Sequence, residues 1–153
     1  MPISKIQSDS FASGVGGKVL QVVQAETSTQ VSTSSSTFTA TGMTASITPS
    51  STSSKILACF QVNGVYKDGS NQTGVGIRVK RGGSEIKVLS VRAAGDSTDI
   101  ESVGTVGADI LDSPNTTSAT TYDVDFKATS NVATAYVQVY GVTSSIVLME
   151  IQA

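Results

Sequence analysis

The sequence predicts an all-β fold, an antiparallel β-sandwich or jelly roll formed by one domain. Apolar and polar side chains alternate over several short segments, which is the pattern of strands with one buried face. Turn-forming residues recur about every ten residues, and no amphipathic helical pattern lies between these segments. The chain has 24 Ser, 19 Thr and 19 Val in 153 residues, and Val and Thr together favour a pleated surface over a disordered coil.

The alternation predicts the strands in chain order. It is clearest over Thr121 to Ala128, where Tyr122, Val124 and Phe126 face one way while Asp123 and Asp125 face the other. The predicted strands are Lys18–Gln24, Lys55–Tyr66, Gly74–Arg81, Glu85–Val91, Thr121–Ala128, Ala135–Val142 and Ser145–Ile151.

The strand Lys55–Tyr66 is longer and more apolar than the others, which predicts a central strand buried on much of both faces. Two Gly-containing segments, Lys67–Asn71 and Arg81–Ser84, each predict a tight hairpin. The serine runs Ser34–Ser36 and Ser50–Ser54 are expected to be connections between strands.

The first 17 residues differ in composition from the rest and predict an N-terminal arm before a sandwich domain of residues 18–153. The arm is polar, with Ile3, Ile6 and Phe11 as isolated apolar residues, and it ends in the flexible segment Gly14-Val15-Gly16-Gly17. A frayed terminus is one interpretation. Three large apolar residues favour the other, an arm that contacts a neighbouring subunit or partner.

Composition excludes several classes of function. The chain has no His, which excludes Ser-His-Asp, Cys-His and His-ligated metal mechanisms. A lone cysteine, Cys59, excludes an internal disulfide, and its apolar neighbours predict a buried, inert thiol. A net charge of −2 does not favour nucleic-acid binding. No apolar run is long enough for a membrane span, and no secretory signal is evident, so synthesis in a cytosol is expected.

Two acidic groups are candidate chemical sites. Asp123 and Asp125 lie two residues apart on one strand face, about 7 Å apart by strand geometry, which would suit a carboxylate-based glycosidase. The alternation itself explains them as a solvated face, and we expect no catalytic residue. Asp96, Asp99 and Glu101 lie near a turn and have oxygen ligands for Ca²⁺, but they lack the dense Asp/Gly pattern of a calcium loop. No metal and no cofactor is therefore expected.

Basic residues are concentrated in one third of the chain. Adjacent hairpins would bring them together into a patch that docks onto an acidic partner, or they are ordinary surface charges. They are Lys67, Arg78, Lys80, Arg81, Lys87 and Arg92.

Several strings resemble a β-rich module of tailed-phage virion proteins, especially those of phages of cyanobacteria and other aquatic bacteria. The resemblance spans most of residues 1–153, and its strings carry no chemistry. They are Met1–Ile6, Gly17–Gln24, Ala45–Leu57, Leu111–Pro114, Ala119–Tyr122 and Ser145–Ile151.

The resemblance implies a structural protein of the virion, usually a homotrimer, on the capsid or in a tail appendage. Because no shaft repeat accompanies the module, we expect a capsid decoration (cement) protein that binds and stabilises the assembled head from outside. Its partners would be two further copies of itself and the major capsid protein, contacted through Ile3, Ile6 and Phe11. The alternative is a tail-fibre module that binds a host receptor or glycan, although the chain has no Trp and only 4 Tyr and 4 Phe.

Overall fold

Ten strands form two antiparallel sheets in the computed structural model, which describes residues 18–68, 73–93 and 104–152. The strands are β1 Val19–Thr27, β2 Val31–Thr33, β3 Thr39–Ile47, β4 Lys55–Asp68, β5 Val75–Arg81, β6 Ser84–Ala93, β7 Gly104–Asp112, β8 Thr120–Ala128, β9 Thr134–Val137 and β10 Ser144–Ile151. The predicted all-β sandwich is confirmed.

The larger sheet is organised around β4. Its six strands run in the order β1-β10-β4-β9-β2, and β7 pairs with the other edge of β4. The first half of β4 lies between β10 and β7, and its last residues pair with β9. The predicted central position of this strand is therefore confirmed. The smaller sheet has four strands in the order β3-β8-β5-β6.

Apolar side chains from the inner faces of both sheets meet in one core. The inward face predicted for β8 is confirmed, because Tyr122, Val124 and Phe126 are all buried. Opposite them lie alternate residues of β4 and β10, which follow the two-residue period of a strand with one buried face. The larger sheet's main contributions are Ile56, Ala58, Phe60, Val62, Ile146 and Leu148.

Three strands, β2, β3 and β7, were not predicted from the sequence. In β3 the buried residues Met43, Ala45 and Ile47 are separated by the small polar residues Thr44 and Ser46. This is a period-2 pattern, but hydroxyl residues dominate the surrounding segment, and they resemble a loop in composition. Strand identity here comes from pairing with β8 and not from local propensity.

The hairpin predicted at Lys67–Asn71 is wrong. The strands before and after it, β4 and β5, belong to different sheets and do not pair with each other in the described ladders. The chain crosses between sheets at this point, and residues 69–72 lie outside the described residues. The hairpin predicted at Arg81–Ser84 is confirmed. Gly82 and Gly83 both have positive φ, at 55° and 83°, which the favoured two-residue turn requires.

The strand predicted over Ala135–Val142 is also wrong beyond Val137. Gln138 and Tyr140 have φ of 55° and 61°, which turns the chain out of the sheet into a short 3-10 segment, Val139–Gly141. In the sequence, the apolar residues of this segment match the pattern of a strand. Tertiary structure imposes left-handed backbone on these two non-glycine residues, and the alternation of apolar and polar residues does not predict it.

Asp112 joins the two sheets at one end of the sandwich. This β7 carboxylate accepts hydrogen bonds from Arg81 Nη1 at 2.7 Å and from the buried Tyr122 hydroxyl at 2.7 Å. Burial raises the pKa of Asp112, but the Tyr122 and Arg81 hydrogen bonds outweigh that effect and lower it. The ionised carboxylate is therefore the form that holds the sheets together.

Glu150 anchors the β3–β4 connection from inside the sandwich. Its buried carboxylate accepts bonds from the Ser50 amide and hydroxyl, both at 2.7 Å, and from Gln21 Nε2 at 2.6 Å. Burial opposes ionisation, but these bonds and one from Ser54 lower the pKa of Glu150 from 4.5 to about 2. The connection is thus fixed by a buried charge with several donors.

We expect Tyr122→Phe to lower the free energy of unfolding by about 2 kcal/mol, because it removes a buried hydrogen bond to a carboxylate. Urea denaturation followed by far-UV circular dichroism measures this. Tyr140→Phe is the matched control, since Tyr140 is 73% exposed, and it should leave the midpoint unchanged. Equal effects of the two substitutions would contradict the role given to the Asp112 cluster.

Stability should fall with acid through the titration of Glu150. The folded-state pKa is lowered, so the carboxylate stabilises the fold above pH 4.5, and this contribution is lost as the pH falls from 4.5 toward about 2. Glu150→Gln should therefore be destabilising at pH 7, and its difference from the wild type should shrink through that window. Measuring unfolding at each pH for both proteins isolates Glu150 from Asp112, which acts in the same direction. Glu26→Gln, at an exposed position, is the control; a difference independent of pH would refute the assignment.

Candidate functional site

The outer face of the smaller sheet is charged, and its charges bind one another. Asp125 Oδ2 lies 2.9 Å from Arg78 Nη2 and 3.1 Å from Lys80 Nζ, and Arg78 also lies 3.3 Å from Glu85. Phe38 lies beside this cluster, with the Arg78 guanidinium carbon 4.1 Å and Lys127 Nζ 4.7 Å from the ring centroid. The arrangement is a neutralised ionic network under an aromatic ring.

Asp125 departs from its predicted place on a solvated face. It does point outward from β8, as the alternation predicts, but it is only 3% exposed. Asp125 is buried because the long side chains of Arg78 and Lys80, on the neighbouring strand β5, lie over it. Asp123 is half-buried on the same face. The two carboxylates therefore differ in surroundings, and Asp125 is bound to two cations in a structural role.

The basic patch, which the sequence offers as an alternative to ordinary surface charge, does not form. Arg78 and Lys80 bind Asp125, and Arg81 binds Asp112 near the inner side of the sandwich. Lys67 is buried, at the end of β4 in the other sheet. Lys87 and Arg92, on β6, are exposed.

The outer face of the larger sheet is apolar. Residues directly opposite each other in an antiparallel ladder lie on the same face, so the strand registers define rows across the sheet. One row crosses four strands with large apolar side chains only, and we call it the apolar row. It consists of Val22 on β1, Met149 on β10, Leu57 on β4 and Leu111 on β7.

The rows on either side extend this surface, which we call the apolar face. On one side Val19 lies opposite Ile151, and Ile151 lies opposite Lys55. On the other side the row is Gln24, Val147, Cys59 and Asp109. With strands about 4.8 Å apart and same-face residues about 7 Å apart along a strand, the apolar face covers roughly 400 Å².

Exposure differs along the apolar row, because Val22 and Leu111 at its ends are well exposed while Met149 and Leu57 between them are half-buried. Leu111 is 65% exposed and Val22 is 59% exposed. Part of this footprint of roughly 400 Å² is polar, because it includes Lys55, Gln24 and Asp109. The sequence contains two signals for the apolar face. The strand that forms β4 is predicted to be buried on much of both faces, and Ile146–Met149 in β10 is a run of four apolar residues. Within a single chain, only the inner face of β4 is buried.

Cys59 lies on the apolar face and not in the core, which corrects its predicted burial. It is half-buried beside Asp109, and a hollow of about 420 Å³ lined by both residues and by Gly107 adjoins it. Burial raises the pKa of the thiol to about 11, with a hydrogen bond to Asp109 and the charge of Asp109 acting in the same direction. The thiol is protonated at neutral pH, so it is a poor nucleophile, as the inert interpretation requires.

Two sets of residues considered in the sequence, one predicted to bind a partner and one rejected as a cation site, lie outside the described residues. They are the arm residues Ile3, Ile6 and Phe11, and the acidic residues Asp96, Asp99 and Glu101. Within residues 18–68, 73–93 and 104–152, no group of three or more acidic or cysteine side chains is placed to hold a metal ion. The same part of the chain contains no helix of the length and apolarity that a bilayer crossing needs.

Together the fold and its surfaces define an all-β sandwich protein with one charged and one apolar outer face. No protein-family model and no curated protein matches the chain. Two solved structures are similar to it at 13% identity over 99% of this chain. They are a structure of infectious bursal disease virus, Gx strain, with a TM-score of 0.41, and the crystal structure of the infectious bursal disease virus VP2 subviral particle, with a TM-score of 0.43.

The chain spans about two fifths of the length of each of these proteins, 37% and 42% respectively. Similarity at this level carries no conclusion about function.

Replacing Asp125 tests its structural role. Asp125→Asn should lower the free energy of unfolding by about 1–3 kcal/mol, because it leaves Arg78 and Lys80 without their shared carboxylate. Asp123→Asn, two residues away on the same face, is the control and should change stability by less than about 0.5 kcal/mol. Thermal or urea unfolding measures both. Equal free energies of unfolding for the two variants would show that the burial of Asp125 has no energetic consequence.

Proposed function

We propose that this protein is a structural protein of a virion, a homotrimeric capsid decoration protein that binds the assembled head and stabilises it. The observation that supports this most is the apolar face. A sandwich whose larger sheet presents the apolar row to solvent has a surface suited to assembly. The inner faces of its sheets already form a complete core, so the fold does not need the outer one.

The charged groups of the described residues support a structural role over catalysis. The carboxylates of Asp112, Asp125 and Glu150 each bind side chains that hold strands or loops in place. A catalytic pair needs two carboxyl groups open to a substrate between them. The proposal is therefore a non-enzymatic protein that acts through contacts.

The capsid location and the threefold assembly rest on the resemblance to tailed-phage virion modules. Three subunits that bind one lattice position together gain avidity, because binding of the second and third becomes intramolecular. We propose that the arm residues Ile3, Ile6 and Phe11 contact the major capsid protein or a neighbouring subunit. A stable interface needs about 800 Å² on each partner, and an apolar arm adds area that a sandwich edge does not supply.

A receptor- or glycan-binding tail appendage is the second candidate, and one feature favours it. A groove of about 560 Å³ is lined by Asn63, Thr105 and Thr143, together with Gly141. The residue before Gly141, Tyr140, is 73% exposed on a left-handed turn, and an exposed aromatic beside polar groups suits a sugar ring. Binding on a glycan array that Tyr140→Ala abolishes would favour this function over decoration.

Deleting residues 1–12 should reduce occupancy on purified heads, because the arm's apolar contacts are lost. Quantitative mass spectrometry of the particles measures the copies retained per head. A length-preserving variant with Ile3→Ser, Ile6→Ser and Phe11→Ser should lose occupancy to the same extent, whereas Lys5→Ser with Gln7→Ser is the control and should retain it. Unchanged occupancy in the deletion would refute the arm contact. A wild-type copy number in the tens, with protein on the tail in electron micrographs, would refute the capsid location.

A further inference from the structure

We propose that the apolar face pairs with the apolar face of a second copy of this chain, through a two-fold axis that runs along the apolar row. This is a contact of the sandwich domain itself. It does not depend on the virion role, on the arm or on a capsid partner.

The charges of the apolar face are divided between its two ends. Lys55 lies at one end, in the row beyond Leu57, and its Nζ donates to Ser113 Oγ at 2.7 Å. Asp109 lies on the opposite side of the apolar row, opposite Cys59, and Glu26 lies one row further on. One end of the face is therefore positive and the other end is negative.

A two-fold axis in the interface plane, perpendicular to the strands, exchanges these ends. It places the apolar row of one copy on the apolar row of the other and reverses the direction along each strand. The row of Lys55 in one copy then faces the row of Cys59 and Asp109 in the other. Because Lys55 Nζ is held over Ser113, next to Leu111 on the β7 side, it faces the position of Asp109 in the second copy.

The same operation matches apolar side chains with apolar side chains. Met149 and Leu57 lie at the axis and meet their own equivalents. Ile151 of one copy faces Val147 of the other, because the two lie one row to either side of Met149 on β10. Across this axis apolar side chains meet apolar side chains and opposite charges face each other, so the face is complementary to itself. A surface that binds an unrelated partner has no reason to be self-complementary.

The apolar face would form the central part of a dimer contact. The apolar face of roughly 400 Å² is about half of the 800 Å² that each partner of a stable interface buries. A polar rim supplies the remainder in ordinary interfaces, and here the rim includes Glu26 and Gln61. The outer face of the smaller sheet lacks this character, since its charges are paired within the chain.

The contact predicts an even number of chains. If the subunits also form a trimer, each trimer carries three such faces, and two trimers joined through them contain six chains. Native mass spectrometry or sedimentation equilibrium of the full-length protein should therefore show two or six chains at micromolar concentration. A monomer or an isolated trimer at that concentration would overturn the proposal.

Exposed positions of the apolar row provide the first variant. Val22→Glu with Leu111→Glu should raise the dissociation constant by at least about a hundredfold, because it places four carboxylates in a desolvated contact. Both residues are well exposed, so the substitutions spare the core. Val91→Glu, at a position 76% exposed on the smaller sheet, is the matched control and should leave the mass unchanged. Association that survives the double substitution would refute the assigned face.

Charge reversal tests the two-fold axis itself. Lys55→Asp and Asp109→Lys should each weaken association by about tenfold or more, since each places like charges opposite each other. Mixing the two single variants should restore it as a hetero-pair, because both contacts then join opposite charges. The protein carrying both substitutions should also associate like the wild type. Circular dichroism confirms folding of each variant, and failure of both rescues would exclude this arrangement whatever the mass of the wild type.

Discussion

The register of β4 is the constraint on which the rest of the structure depends. This strand pairs with β10, β7 and β9, so the position of each neighbour is fixed by where it meets β4. Alternate residues of β4 face opposite ways, with Ile56 and Phe60 in the core and Leu57 and Cys59 outside. A slip of one residue would exchange the two sets. The core and the apolar face are therefore specified by the same pairing, and neither can change without the other.

The two outer faces show different solutions to the exposure of a sheet. The smaller sheet has a layer of charged side chains on the outer side of β5 and β8, which includes the Arg78–Asp125 pair. The larger sheet instead has the apolar row on its outer side, with Val22 and Leu111 well exposed. Burial of that row against another protein would release water from apolar surface, which is the main favourable contribution to association. This asymmetry is the basis of the contact proposed for the larger sheet.

The sequence predicts the all-β class, the central position of β4 and the inward face of β8, because each depends on local alternation. It misses β3, whose pairing with β8 defines it among hydroxyl-rich neighbours. It also misses the burial of Asp125 and Glu150, since a charged residue is buried only when distant donors surround it. Gln21 and Ser50 lie far from Glu150 in sequence, so no local pattern reports their contact. The sequence shows the apolar residues of the apolar face but not that they form one surface, because the strand registers are needed to place them side by side.

The pairing of β1 with β10 has a consequence for the time course of folding. These strands are the first and last of the described domain, and Gln152 N–H donates to Lys18 O at 2.9 Å, so the closing ladder joins the two ends of the domain. Contacts between residues so far apart in sequence form slowly, because a long loop must close before they contribute. On the ribosome, β1 has no partner until β10 emerges. Until then its edge and the open side of the core are exposed, and nascent chains are at greatest risk of misassociation in that interval.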